Sequence, residues 1–199
     1  HLEPMTHIYF VRHGRTENEG NISYGRMPGY PLSVAGREEA TKTGELLRTK
    51  NITQIFTSPL QRSFETAEII SQAIPEAKIE HVFDLNETES TRWQGLPAEQ
   101  LFTNNDYETF INDPNADFGT ENLNQIAARM MGVIQQILSS HGGKNVVCVS
   151  HEFPILALKF FLEKKQLSGV KTYHLPTGGV MDFVFDENNK FVSAEKITA

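Results

Sequence analysis

Two short stretches, "HIYFVR" at 7–12 and "NVVCVS" at 145–150, are almost uninterrupted apolar and β-branched runs. They are too short for helices and have the length of strands. A strand that is apolar on both sides must be covered on both sides, and a mostly parallel sheet flanked by helices does this. "QIFTS" at 54–58 and "IEHVFD" at 79–84 also read as strands. "GVMDFVFD" and "KFVSAEKI", separated by "ENN", read as a hairpin near the end of the chain.

Helical patterns lie between these strands. Ser33 can cap a helix reaching about Thr49, with Ala40, Gly44 and Leu47 on one face. In "SPLQRSFETAEIISQA", Ser58 is expected as N-cap, Pro59 as the first helical residue and Gln61 as capping-box partner. The longest helix is expected from near Asn122 to Ser139, with Ile126, Met130, Val133, Ile134 and Ile137 as its buried stripe and Gly142 and Gly143 ending it. Residues 103–120, polar and rich in Asn and Asp, show no period and suggest a lid or binding excursion. The alternation predicts an α/β fold, a three-layer α/β/α sandwich around a mostly parallel central sheet.

A chain of 199 residues suits a single domain, expected over 5–199, with His1 to Pro4 read as a remnant of expression ahead of a natural Met5. No apolar run approaches the roughly 20 residues needed to span a bilayer. The start has neither the basic nor the apolar region of a secretory signal. The one cysteine, Cys148, sits in an apolar run and fits a core position in a reducing compartment, so a cytoplasmic protein is expected. A formal charge of −7 argues against nucleic-acid and anionic-membrane partners, which reward basic surfaces. A small anionic substrate then requires a local basic pocket. Neither a P-loop nor a GxGxxG pattern is present, and no histidine spacing such as HExxH suggests a metal. No cofactor is expected.

Open parallel sheets bind ligands outside the carboxyl ends of their strands. Arg12 and His13 close the first strand, Arg62 falls in the first turn of the helix after the second, and His151 closes the strand "NVVCVS". All four are therefore expected at one sheet edge, where helix N-termini also offer free N–H groups. Two arginines and two histidines there make an anion site, most plausibly for a phosphoryl group. Arginine holds two phosphate oxygens with a charge that does not titrate. A histidine amid arginines is kept neutral by repulsion, and a neutral imidazole can attack phosphorus. The second histidine can stabilise charge on the same oxygens.

Four segments in order, "VRHGRTEN", "TSPLQRSFETA", "LNETESTRWQG" and "VSHEFPI", resemble the histidine phosphatase superfamily, the phosphoglycerate mutase-like group, over nearly the whole chain. The resemblance implies that His13 forms a phosphohistidine and that Arg12, Arg62 and His151 bind the phosphoryl group. It places Glu87 at the proton-donor position, with Glu89 and Glu99 as nearby competitors. It implies substrate contacts from Asn18, Tyr24, Gly25 and the backbone of Glu152. Asn18 stands one place before the family's usual asparagine, Thr91 replaces a glycine, Gln94 a frequent glutamate and Glu152 a frequent glycine. The implied activity is metal-independent phosphomonoester hydrolysis on a small phosphorylated metabolite. A phosphoglycerate-type mutase and a silent phosphate-binding module are the alternatives. Trp93 is open to two readings, stacking on a ligand or packing beneath the acid loop. The remaining histidines, His1, His7, His81, His141 and His174, read as surface or structural. Substrate identity and oligomeric state are not encoded in these motifs.

Overall fold

The structure, a computed structural model, describes residues 4–198. The remnant assigned to His1–Pro4 therefore lies, apart from Pro4, outside the described residues, as does His1 among the histidines. Six strands form one sheet: β1 (Thr6–Arg12), β2 (Ile52–Thr57), β3 (Lys78–His81), β4 (Asn145–Ser150), β5 (Val180–Phe185) and β6 (Phe191–Ile197). Their spatial order is β3-β2-β4-β1-β5-β6. The pairs β3/β2, β2/β4 and β4/β1 are parallel, while β1/β5 and β5/β6 are antiparallel. The expected mostly parallel sheet and C-terminal hairpin are both present.

The two-sided apolar runs have the expected cause. Ile8, Phe10, Val146 and Cys148 enter one core, whereas Tyr9, Val11, Val147 and Val149 enter the other. Helices α1 (Val34–Leu47) and α2 (Gln61–Ala73) bury Leu47, Ala67 and Ile70 in the second core. Helices α4 (Leu123–His141) and α5 (Glu152–Leu162) bury Ile126, Met130, Ile134, Ile155 and Leu158 in the first. This is the three-layer α/β/α sandwich.

Local chemistry sets most boundaries. The Ser33 hydroxyl accepts from the Gly36 N–H at 3.0 Å and starts α1. Asn122 and Gln125 exchange bonds as a capping box at the start of α4. Three expectations need correction. The 79–84 strand stops at His81, because its partner β2 ends at Thr57 opposite, and Phe83–Leu85 forms a 3₁₀ turn. The 103–120 excursion is not structureless. A 3₁₀ segment, Ala98–Thr103, leads into α3 (Asn105–Asn112), which is capped by Asn104 and anchored by the buried Phe110. Tyr107, Phe110 and Ile111 stand at helical spacing and pack on the first core, but two turns among polar neighbours make a short signal. Finally, α2 begins at Gln61 and not at Pro59; Leu60 is its N-cap, and no side chain caps it. The Ser58 hydroxyl accepts from the Leu60 N–H at 3.4 Å, ahead of the first helical turn.

Candidate active site

β1 and β4 are neighbours in register, with Arg12 opposite Ser150. The next residue of each, His13 and His151, therefore emerges side by side at the carboxyl edge. Their rings lie 5.1 Å apart at 61°. The His13 N–H donates to the Ser150 carbonyl at 3.2 Å, so the main chain locks this pairing. From β2 the chain enters α2 and brings Arg62, which is wholly buried, beneath the same point.

The tautomer of His13 follows from its partners. Nδ1 lies 2.8 Å from the Gly14 carbonyl, which can only accept, so Nδ1 carries the proton. Nε2 is left with its lone pair and accepts from Arg62 Nε at 3.3 Å. Burial first, then the charge of Arg62 and of Arg12, hold His13 well below the usual histidine range. The Gly14 carbonyl opposes this but does not prevail. The site thus contains a neutral, oriented imidazole nitrogen.

Around it stand donors without a hydrogen-bond partner among the described residues: Arg12 Nε, Arg62 Nη1 and His151 Nδ1. Such buried orphans are costly unless a ligand satisfies them. The rest of each side chain is fixed. Arg62 Nη2 donates to the Gly25 carbonyl at 2.7 Å, and its guanidinium lies 4.3 Å beneath the Tyr24 ring. Arg12 Nη1 donates to the Leu175 carbonyl at 2.7 Å. His151 is held through Nε2 by the hydroxyls of Ser58, at 2.8 Å, and Ser63, at 3.3 Å. Burial and the nearby Arg62 keep His151 neutral, again well below the usual range. When a serine donates to Nε2, the His151 proton sits on Nδ1 and faces the cavity.

Glu87 follows the Phe83–Leu85 turn, and its Oε2 lies 3.6 Å from His151 Nδ1. Of the three carboxylates near this loop, it alone lines the cavity, of about 400 Å³, that also exposes Arg12, His13, Asn18 and Tyr24. Glu89 turns back to the N–H of Thr91, and Glu99 lies exposed on the 3₁₀ segment. Three residues not singled out by the sequence reading fix the Glu87 backbone. Arg26 Nε donates to the Glu87 carbonyl at 2.7 Å, and Arg129 Nη2 donates to it at 3.3 Å. Glu121 pairs with Arg129 at 2.6 Å and accepts from the Glu89 N–H at 3.1 Å. No local motif marks these residues. Ser58 did carry a signal, its place in "TSPLQRS", but that signal is equally a helix cap.

The outer residues divide. Asn18 lines the cavity, yet its amide closes the local turn, donating to the Ile22 carbonyl and accepting from the Ile22 N–H. Gly25, at φ +48°, contributes its carbonyl to Arg62. Glu152 stands on the cavity rim, with its carboxylate accepting from the Leu175 N–H and lying 3.4 Å from Arg12 and 3.0 Å from His174. Trp93 is packed against Phe110, Tyr107 and Phe118, and only an edge reaches the cavity. His7 lies at the opposite end of β1, paired with Asp182. Among the described residues no cluster of three or more His, Cys, Asp or Glu is arranged to hold a metal ion.

The chain is similar to several known proteins. An uncharacterized protein of Mycobacterium tuberculosis, Rv0525, is 32% identical over 165 residues, which cover 81% of each chain. An uncharacterized phosphatase, PhoE, of Bacillus subtilis is 30% identical, covering 77% of this chain and 76% of its own. In three dimensions, YhfR of Bacillus stearothermophilus superposes with a TM-score of 0.85 at 23% identity, covering 96% of both chains. Further relatives bear the names of phosphatases and of phosphoglycerate mutases. The sequence profile of the histidine phosphatase superfamily, branch 1, matches residues 8–198, and the chain belongs to that superfamily.

Proposed function

We propose that residues 5–199 act as one domain and a metal-independent phosphomonoesterase, hydrolysing a small phosphorylated metabolite through a phosphohistidine on His13. The observation that carries this reading is the His13 ring: Nδ1–H is tied to Gly14, and the Nε2 lone pair is ringed by orphaned donors from Arg12, Arg62 and His151. A mere binding site needs the donors but not an oriented, deprotonated nitrogen.

In the first step Nε2 bonds to phosphorus and the P–O bond to the alcohol breaks. The electron pair departs with the alcohol oxygen, which takes a proton from the Glu87 carboxylic acid. Arg12, Arg62 and His151 Nδ1–H hold the three phosphoryl oxygens as their charge redistributes. In the second step Glu87, now a carboxylate, takes a proton from water as the water oxygen attacks phosphorus. The N–P bond breaks, inorganic phosphate leaves, and His13 and Glu87 return to their starting forms. The arginines supply the charge neutralisation that a divalent cation gives elsewhere. Hydrolysis is favoured over return of the phosphoryl group to substrate because the Glu87 side chain is 20% exposed and open to water. The buried, free thiol of Cys148 suits a reducing, cytoplasmic setting.

The decisive experiment measures phosphate release from a panel of phosphomonoesters by the wild type and His13→Ala, with chelator present. The expected result is a fall of about a thousandfold or more in His13→Ala and no effect of chelator. An acid-labile, alkali-stable phosphoprotein should accumulate in Glu87→Gln. Unchanged turnover in His13→Ala refutes the reading. Net interconversion of phosphoglycerates without phosphate release would make the enzyme a mutase.

A further inference from the structure

The cavity has two chemically distinct halves. The phosphoryl half holds Arg12, and beyond it the wall is mostly apolar, with Ile22, Trp93, Ala98, Leu101, Phe110 and Phe153 interrupted only by uncharged hydroxyls such as those of Ser23 and Tyr107. The rings are mutually packed, with Trp93 and Phe110 5.0 Å apart and Phe110 and Phe153 5.9 Å apart, so the wall is preformed. No lysine lines the cavity, and its one arginine, Arg12, is already bound to the Leu175 carbonyl and close to Glu152. The charged group that does border the outer half is negative. The Glu152 carboxylate lies on the rim, and it acts with burial to push the neighbouring Tyr107 phenol up to about 12.

We propose that the alcohol part of the substrate is an apolar group, aromatic or of comparable size, that carries no second negative charge. This rests on the phosphomonoesterase reading above and narrows it. A phosphoglycerate or a bisphosphate places its second anion against a mostly apolar wall beside Glu152, where the adjacent Arg12 and His174 are already engaged by that carboxylate and desolvation is unfavourable. An aryl or branched alkyl group instead gains contact with rings that are already in place. Selectivity therefore comes from residues 93–110 and Phe153. The 3₁₀ segment and α3 build that wall, which gives the 103–120 excursion its role.

The test uses the full chain and three primary-alkyl phosphates of similar leaving-group basicity: 3-phenylpropyl phosphate, glycerol 3-phosphate and 3-phosphoglycerate. The expected kcat/KM for 3-phenylpropyl phosphate exceeds the other two by at least about tenfold, with most of the difference in KM. Phe153→Ala should narrow that gap. Leu101→Arg, at a half-buried wall position, should raise 3-phosphoglycerate relative to the phenylpropyl ester by at least about tenfold. If either variant fails to fold, the three esters on the unaltered protein still decide. Equal rates, or preference for 3-phosphoglycerate, with turnover still lost in His13→Ala, overturn the leaving-group assignment alone. Turnover that persists in His13→Ala overturns the phosphohistidine reading and this inference with it.

Discussion

His13 sits in a place where one carbonyl decides the chemistry. Without the Gly14 acceptor the two imidazole nitrogens would compete for the proton, and the Nε2 lone pair that the proposed mechanism needs would be present only part of the time. Burial and Arg62 work in the same direction by disfavouring the imidazolium. Because the pKa is lowered, His13 stays neutral as pH falls through 6.5, where an ordinary histidine becomes charged. ¹⁵N NMR of the ring should therefore find the Nδ1–H tautomer still dominant at pH 6, and kcat/KM should lose no nucleophile between pH 7 and 6. A ring that titrates near 6.5 would contradict this. The residue types at the site were legible because strand ends and the four motifs mark them. The tautomer was not, since it depends on a carbonyl orientation that no side chain encodes.

At the scale of elements, the loop that carries Glu87 and the strand that leads to His13 are secured differently. Arg26, from the loop after β1, and Arg129, from α4, converge on the carbonyl of Glu87, with Glu121 balancing their charge. Arg129→Met should cut kcat about tenfold for alkyl phosphates, whose leaving group needs a proton. It should cost much less for p-nitrophenyl phosphate, whose leaving group does not. The double variant with Glu87→Gln should be no worse than Glu87→Gln alone. A uniform loss across substrates would assign Arg129 a structural role only. On the His13 side, Gly14 packs against the backbone of α1. A Cβ on Gly14 would stand 2.5 Å from the Gly36 carbonyl oxygen, backbone against backbone. Gly14→Ala should destabilise by about 1–3 kcal/mol in urea unfolding and lower activity by shifting His13. The strands were legible from apolar runs and α1 and α4 from their caps. The helix Asn105–Asn112 and the start of α2 were not, because one shows only the short signal of Tyr107, Phe110 and Ile111 among polar residues and the other starts at Leu60, which has no capping side chain.

For the molecule as a whole, two buried neutral histidines link folding to pH. His13 and His151 have folded pKa values below their unfolded value of about 6.5, so below that pH the unfolded chain binds protons the folded chain does not. Their contribution to stability is complete above about pH 6.5 and falls as pH drops below it, by up to about 1.4 kcal/mol per pH unit for each. Urea midpoints should decline from pH 7 to pH 5.5, and His151→Gln should flatten that decline. No helix among the described residues is long and apolar enough to cross a membrane. The sheet order has a further consequence. β4 is flanked by β2 and β1 and, apart from its half-buried first residue, is buried, so His13 and His151 hang from the part of the chain that opens last. Glu87 hangs from a loop held mainly by side chains. Amide exchange should therefore be slowest along β1 and β4 and much faster around residues 86–91, and mild urea should abolish proton donation while leaving phosphate capture intact. On the proposed mechanism this amounts to a rigid grip with a detachable acid, one expected to retain phosphate after the means to turn it over is lost.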